Sequence, residues 1–393
     1  MTISVSSSLE TASNLQGNVR GALERSVALW QQTGDVNLVV VTSEAQNVSD
    51  KGARGDGISL LTAASSAENV RLFPKLADSP AAVTRVFSDA RRNIVEADIA
   101  LNPFVKFSTD GTFGTFDLQD TLTHEIGHLL GLRHSPIWGS IMYDKAATSF
   151  GPGSFGGARN FIPEMDAASI RSLYGPPADE FACCGYVSGR LLGLPSGNNS
   201  NLQTIVWVED VETGRLLGAV EPTRSGSYRI DGLREGPYRL LVRSVDGNGG
   251  IATGEAAVTV EVAEGTKANL DLEYRDRPFI VDVIGSTPQL GKQAARIQFV
   301  RPQYLFFGGW GDPSQIAKVY RSGDRANLSG SGLATDSASE AVRVIGFGLP
   351  AAEGLESGEY SLVIEFVDGA KDYLVGALLT SGQTNPTRAT VLE

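Results

Sequence analysis

The stretch THEIGHLLGLRH at residues 123–134 decides how the chain is interpreted. His124 and His128 are four residues apart, so on a helix both imidazoles lie on one face and can bind the same zinc ion. Glu125 is one residue further round that helix than His124. Its carboxylate can therefore reach a water at the metal without serving as a ligand. The spacing predicts two metal ligands and a general base on one helix.

The end of the same stretch supplies a third ligand. Gly131 permits a backbone reversal that a β-carbon would obstruct, and the reversal returns His134 to the metal. The chain has only 3 histidines, all of them within this motif, which disfavours ordinary histidines on an amphipathic helix. We therefore predict one catalytic zinc ion, Zn²⁺, bound by His124, His128 and His134, with its fourth position open.

The flanking residues predict the helix that carries the motif. Asp117 can cap this helix, and Asp120 places an acidic residue in its first turn. Apolar residues then recur at helical spacing and predict a buried stripe. The stripe consists of Leu118, Leu122, Ile126 and Leu129.

Periodicity predicts further elements before the motif. Recurring apolar residues indicate a first helix over residues 18–32, followed by an apolar strand over 36–41. Ile94–Leu101 is typical of a strand. The glycines within 104–116 indicate a strand or a hairpin in that segment, and we expect an extended substrate to lie along the sheet edge near it.

A break in composition predicts the domain organisation. Pro163 and Glu164 open a helix that ends at Tyr174, before Gly175 and two prolines, so the first domain should span residues 1–175. We predict a linker at 176–185. Short alternating strands with turn residues follow, which predicts two all-β domains at 186–274 and 275–393. The fold class is therefore a multidomain chain, mixed α/β (α+β) at first and all-β afterwards.

The motif resembles the metzincin signature H-E-x-x-H-x-x-G-x-x-H, and SIMY at 140–143 resembles the Met-turn of that family. The resemblance implies a metzincin-type catalytic domain in which Met142 lies beneath the zinc as an apolar floor. The astacin and serralysin branches have a metal-binding Tyr two residues after this Met. This chain has Asp144 there, so Tyr143 is not counted as a ligand.

Further segments are similar to the matrixin branch of the family. They are Ser135 directly after the last ligand, ADI at 97–99 and DAASIRSLYG at 166–175, and the similarity spans residues 16–175. It implies a zinc-dependent endopeptidase that acts on proteins or peptides and is secreted or extracellular. Matrixins commonly hold a second, structural zinc through further histidines, and this chain has none to spare. Calcium, Ca²⁺, is a family-level option that no acidic loop in the sequence supports.

The β-rich part carries its own resemblances. Residues 186–274, with VSGRLL, VWVEDVETG and GSYRIDGLREGPYRLLV, resemble a prealbumin-like, carboxypeptidase-regulatory-type β-sandwich. Residues 275–393, with strand-like segments at 280–284, 341–346 and 360–366, resemble an immunoglobulin-like sandwich. The adjacent Cys183 and Cys184 are open to three alternatives: a vicinal disulfide, a bond between chains, or free thiols.

Composition narrows the partners. The sequence has 33 Lys and Arg against 45 Asp and Glu, a net charge of -12, which repels phosphate backbones and makes nucleic acid an unexpected partner. No apolar run reaches the roughly 18 residues that a membrane helix needs. The first nine residues have neither a basic nor an apolar segment of a secretion signal. The sequence is silent on oligomeric state.

Two functions of different classes fit these features. In the first, Glu125 takes a proton from water and later delivers it to the leaving amine of a peptide bond, as general base and then general acid. In the alternative, the chain is a catalytically inactive zinc-containing adhesion or binding protein that acts through its β-sandwiches. Catalysis needs Glu125 and zinc binding alone does not, so the sequence favours the peptidase.

Overall fold

The computed structural model describes residues 1–50, 55–135, 137, 140–143, 161–178, 183–193, 203–245, 251–275, 316–321, 334–336, 344–346, 348–349, 358–366, 371–379 and 387–388. The chain is mixed α/β with several sheets, and its contacts divide it into two compact units. The first unit is Met1–His134, Asp144–Ile162 and Leu173–Glu180; the second is Ser135–Tyr143, Pro163–Ser172 and Phe181–Glu393. Within the described residues no helix is long and apolar enough to cross a membrane.

The first unit is built on a five-stranded sheet. Its elements in chain order are β1 (Thr2–Ser6), α1 (Ser8–Thr11), β2 (Leu15–Gln16), α2 (Val19–Thr33), β3 (Val39–Ser43), β4 (Leu60–Thr62), α3 (Ala67–Val70), β5 (Ala82–Ser88), β6 (Ile94–Leu101), β7 (Phe107–Ser108), β8 (Phe116–Asp117) and α4 (Leu118–Leu129). The sheet order is β3-β1-β4-β6-β5. All neighbours in it are parallel except β5, which pairs antiparallel with β6 at one edge.

Several predicted elements of this unit are confirmed. The first helix, α2, begins after Asn18, whose side chain accepts a hydrogen bond from the Gly21 backbone. Strand β6 has the predicted bounds. Helix α4 begins after Asp117, whose carboxylate accepts from the Asp120 backbone N–H. The apolar stripe of α4 is fully buried, which stabilises the helix by roughly 1.5–3 kcal/mol for each large side chain.

Two predictions before the motif need correction. The strand expected at 36–41 starts instead at Val39, because pairing with β1 begins at Thr2 opposite Val39. The segment 104–116 forms no hairpin: β7 and β8 are two residues each, run parallel and belong to a separate small sheet with β2. Positive φ angles at Gly111 and Gly114 turn the chain between them. This segment therefore does not form an edge of the five-stranded sheet. The edge strand next to β6 is β5.

In the second unit, the segment Ser135–Tyr143 is followed by most of α5 (Glu164–Tyr174), a helix with the predicted bounds. Its strands are β9 (Cys183–Leu192), β10 (Gln203–Asp210), β11 (Leu216–Val220), β12 (Ser227–Arg234), β13 (Gly236–Val245), β14 (Ile251–Val260), β15 (Gly265–Lys267), β16 (Leu270–Asp271), β17 (Glu273–Arg275), β18 (Ile316–Arg321), β19 (Ala334–Asp336), β20 (Val344–Gly346), β21 (Gly348–Leu349), β22 (Gly358–Phe366), β23 (Lys371–Leu379) and β24 (Thr387–Arg388).

Two sheets of the second unit enclose one apolar core. Their orders are β11-β10-β13-β14-β17 and β12-β9-β15, with β16 paired to β9. Residues of both sheets share a buried cluster that includes Val187, Ile230, Val206, Leu240 and Val242. All-β structure is thus found where alternation predicts it. The prealbumin-like and immunoglobulin-like assignments stay predictions, and the strand expected at 280–284 lies outside the described residues.

A second apolar cluster of this unit joins α5 and the turn at 137 to the sheet β11-β10-β13-β14-β17. Ile137 and Met165 are buried against Trp207 and Leu241. Arg171 of α5 is also buried, where its guanidinium contacts the Glu164 carboxylate at 2.5 Å and donates to the Gly232 carbonyl at 3.3 Å. The helix is therefore held against the β-structure both by apolar packing and by the buried hydrogen bond from Arg171 to Gly232. The domain boundary expected at 175 stays a prediction.

Gly232, in β12 of the other sheet, approaches α5 closely and supports a test. It has φ +71°, and a β-carbon there would lie 1.7 Å from the carbonyl oxygen of Ala168 in α5. Gly232→Ala must therefore move backbone atoms, in addition to a left-handed strain of about 1–2 kcal/mol. We expect it to lower the thermal midpoint by several degrees more than the control Gly193→Ala.

Gly193 matches Gly232 in conformation but has space. Its φ is +77°, and the nearest atom to an added β-carbon is 3.4 Å away. Thermal unfolding followed by circular dichroism compares the two variants at one zinc concentration. Equal shifts of the midpoint would mean that α5 is not packed against Gly232 as described.

Candidate metal centre

Three imidazoles converge in the first unit. One ring nitrogen each of His124, His128 and His134 lies within 4.8 Å of the other two. His124 and His128 are half-buried and His134 is exposed, so the cluster opens to solvent on one side. Within the described residues, this is the one group of at least three histidine, cysteine or acidic side chains that converges closely enough to share a metal ion.

The chain reversal at the end of α4 brings His134 towards the other two imidazoles. The Leu132 backbone N–H donates to the Gly127 carbonyl and the Gly131 N–H to the His128 carbonyl, each at 2.9 Å. This pair of bonds defines a Schellman motif, which requires a left-handed residue after the last helical turn. Gly131 fills that position with φ +96°. The chain therefore reverses three residues before His134.

A backbone carbonyl oxygen fixes the imidazole ring of His128. Its Nδ1 lies 2.9 Å from the Leu132 carbonyl oxygen, and a carbonyl can only accept, so Nδ1 carries the proton. Nε2 then presents its lone pair to the cluster. Burial lowers the pKa of His128, with charge repulsion from His134 adding to the effect, and this favours the neutral imidazole that binds metal.

The donor set fits zinc. His128 Nε2 and His134 Nε2 are 3.1 Å apart, and two ligands of a tetrahedral zinc at roughly 2.0–2.1 Å are separated by roughly 3.3 Å. When both nitrogens are unprotonated, as metal binding requires, they repel each other at this distance, and a cation between them removes that repulsion. Three neutral imidazoles with one open side are the ligand set of catalytic zinc sites.

Glu125 lies beside the triad and outside it. Glu125 is 6% exposed. Burial raises the pKa of its carboxyl to about 7, while a hydrogen bond from Thr84 acts to lower it. A carboxyl group near neutrality is suited to both accepting and releasing a proton at physiological pH. The arrangement thus separates the three nitrogen donors from a carboxylate that can carry protons.

Thr84 is the residue that sequence reasoning missed. Its hydroxyl donates to Glu125 Oε2 at 2.5 Å and lies 3.2 Å from the Glu125 carbonyl oxygen. It is in the middle of β5, 41 residues before Glu125, and no motif marks it. Only the pairing of β5 with β6, with Thr84 opposite Ile99, places it there.

Met142 belongs to the second compact unit. It is 1% exposed, and its backbone carbonyl accepts from the Ser135 N–H at 2.8 Å. The turn before it is held by Asp166, whose carboxylate accepts from the Ser140 hydroxyl at 2.6 Å and from the Ile141 N–H at 2.7 Å. The position beneath zinc that the resemblance implies for Met142 stays a prediction, and Asp144 lies outside the described residues.

The cysteine alternatives are resolved by the structure. Cys183 and Cys184 are bonded to each other as a vicinal disulfide, so they are neither free thiols nor partners in a bond between chains. The pair opens strand β9 in the second unit. It supplies no ligand to the histidine cluster.

Comparison with known proteins finds a family model that matches part of the chain. Residues 83–175 match the Peptidase M10 family model, described as Matrixin. No curated protein matches the sequence. The matrixin match and the histidine triad support a zinc metallopeptidase in general.

Three solved structures show weak similarity to this chain. A DUF4876 family protein from Bacteroides thetaiotaomicron is 17% identical, with 49% of this chain and 46% of that one covered and a TM-score of 0.20. SGBP-B of the Bacteroides ovatus mixed-linkage glucan utilization locus, in complex with mixed-linkage heptasaccharide, is 13% identical over 46% and 37%, with a TM-score of 0.17. OgpA from Akkermansia muciniphila is 12% identical over 65% and 87%, with a TM-score of 0.25. At these TM-scores the similarities carry no argument, and this chain spans 46% of the first of these structures.

The reversal at Gly131 yields a test of the site. In Gly131→Ala the new methyl group would lie 3.2 Å from Ile94 Cδ1 and the residue would keep a strained φ of +96°. A strain of about 1–2 kcal/mol that is relieved by displacing His134 corresponds to a loss of zinc affinity of roughly tenfold. Competition with a chromophoric chelator measures the affinity.

Gly114→Ala is the matched control, since Gly114 has φ +77° and nothing within 4 Å of an added β-carbon. It should keep the zinc affinity of the wild type. If Gly131→Ala also binds zinc as tightly as the wild type, the reversal is not what positions the third ligand.

Proposed function

We propose that this protein is a zinc-dependent endopeptidase, with zinc held by His124, His128 and His134 and with Glu125 as the proton carrier. The observation that carries the proposal is the convergence of three imidazole nitrogens within 4.8 Å beside a buried carboxyl group that is not one of them. A structural zinc site needs four protein ligands and no such neighbour. A hydrolytic site needs both the open position and the acid–base group.

Glu125 and His128 have different roles in the proposed hydrolysis. Zinc, when bound, polarises the peptide carbonyl and acidifies a water molecule. Glu125 accepts the proton of the attacking water and passes it to the leaving amine, so one carboxyl group acts as base and then as acid. In the zinc-free protein, burial raises the pKa of this carboxyl to about 7. The Nδ1–Leu132 carbonyl contact keeps His128 in the tautomer that binds metal.

Strand β5 is the edge on which we place the substrate. It is an edge strand of the five-stranded sheet of the first unit. One of its residues, Thr84, contacts Glu125 directly. An extended peptide can pair its backbone with an exposed edge strand. A protein or peptide segment on β5 would therefore have its backbone close to the proton carrier. This placement replaces the one expected at 104–116.

The site of action that we propose is outside the cell. The proposal rests on the matrixin match and on the bonded Cys183–Cys184 pair, because disulfides persist mainly in oxidising compartments. The partners we propose are proteins or peptides that can present an extended segment.

Glu125→Gln tests the catalytic assignment. The amide keeps the shape and hydrogen-bonding capacity of the side chain but carries no basic carboxylate, so kcat should fall by at least about 100-fold while zinc content stays at that of the wild type. Because burial raises the pKa of Glu125 to about 7, the ionised form disfavours the fold above pH 7. The metal-free variant should therefore unfold at the same or a higher temperature than the metal-free wild type at pH 8.

His128→Ala is the comparison variant, and it should lose both zinc and activity. Cleavage of a quenched-fluorescent peptide library, with zinc content by elemental analysis, separates the two effects. If Glu125→Gln cleaves as fast as the wild type, the assignment of Glu125 fails. If the zinc-loaded wild type cleaves nothing, the alternative of a zinc-containing binding protein takes the place of the peptidase.

A further inference from the structure

The carboxylate of Glu125 is held by a residue from another element. Among the hydrogen bonds between described residues, this carboxylate accepts one, from the Thr84 hydroxyl to Oε2 at 2.5 Å. The same hydroxyl lies 3.2 Å from the main-chain carbonyl oxygen of Glu125. Thr84 thus contacts both the side chain and the backbone of one residue. A hydroxyl in this place limits where the carboxylate can go relative to its own helix.

The hydroxyl itself is fixed by the sheet. Strand β5 pairs with β6 continuously from Ala82 opposite Leu101 to Phe87 opposite Glu96, so the backbone at Thr84 is held by ladder hydrogen bonds on one side. A β-branched side chain such as Thr has few accessible χ1 values on a strand. Thr84 is therefore a rigid donor, in contrast to a flexible side chain or a surface loop.

The contact occupies one carboxylate oxygen and leaves the other. Oε2 uses one of its lone pairs to accept from Thr84, so Oε1 is the oxygen better placed to take a proton from water. A glutamate has three rotatable side-chain bonds, and α4 alone selects no single orientation of its carboxylate. Small displacements of a reacting group can reduce turnover by up to about 100-fold. Orientation of Glu125 is thus a step at which the fold can influence rate.

We propose that Thr84 is a positioning residue that fixes the Glu125 carboxylate from strand β5, so that Oε1 is presented for proton transfer. The inference rests on the proposed function for its effect on rate. Its structural part, a single orientation of Glu125 that depends on the Thr84 hydroxyl, does not. Strand β5 would then bind the substrate and, through Thr84, also position the carboxylate that acts on it.

Thr84→Val and Thr84→Ser separate the hydroxyl from the packing of the side chain. Valine keeps the shape without the donor, and serine keeps the donor without the methyl group. We expect Thr84→Val to lower kcat by roughly 10- to 30-fold with KM within about twofold of wild type, since substrate contacts are unchanged. Thr84→Ser should keep kcat within about threefold, and zinc content should not change in either variant.

Thr42→Val is the matched control. Thr42 is exposed on β3, the opposite edge strand of the same sheet, so the same chemical change there should leave kcat and KM as in the wild type. A rise in KM with unchanged kcat for Thr84→Val would overturn the proposal, because it would place Thr84 in substrate binding. Equal losses of kcat in Thr84→Val and Thr84→Ser would overturn it as well.

A readout without turnover makes the test independent of activity. Crystal structures of the zinc-free 393-residue wild type and of Thr84→Val compare the Glu125 side chain directly. We expect one orientation with Oε2 against Thr84 in the wild type, and a displaced or multiply oriented carboxylate in the variant. If the wild type is inactive but the orientation changes, the proposed function fails and the positioning role stands. An unchanged orientation in the variant overturns the positioning role.

Discussion

The reversal of the chain at Gly131 is the constraint on which the candidate site depends. Helical spacing alone places His124 and His128 on one face of α4. The third nitrogen comes within 4.8 Å of the others only because the helix stops at a Schellman motif and Gly131 adopts φ +96°. The motif also places the Leu132 carbonyl at His128 Nδ1. One local structure therefore ends the helix, returns the third ligand and selects the tautomer of the second.

Burial of α4 sets the chemistry of the remaining group. The helix packs on α2, where Trp30 Nε1 donates to the Thr123 carbonyl at 2.8 Å and Ser26 Oγ to the Gln119 carbonyl at 3.0 Å. Its apolar stripe faces the core and is fully buried. Glu125 of the same helix is buried as well, and its burial raises the pKa of its carboxyl to about 7. Packing that stabilises the helix thus also adjusts the proton affinity of the group beside the triad.

The sequence predicts those parts of the structure that are determined locally. Caps, stripes and turn residues identify α2, α4 and α5, because each signal lies within a few residues of the element it defines. Thr84 could not be predicted, because its contact with Glu125 spans 41 positions and depends on strand register. The glycines at 104–116 indicated turns correctly but not that the short strands between them pair in parallel. The burial of Ile137 and Met165 against Trp207 likewise depends on contacts between distant segments.

Titration of the metal-free 393-residue protein with zinc, with peptide cleavage followed at each addition, tests the central claim most directly. The account predicts that cleavage is absent without metal, rises in proportion to added zinc and stops rising at one equivalent per chain, because His124, His128 and His134 form one site. Binding of one equivalent of zinc with no cleavage of any peptide would contradict it. So would cleavage that persists in the metal-free protein.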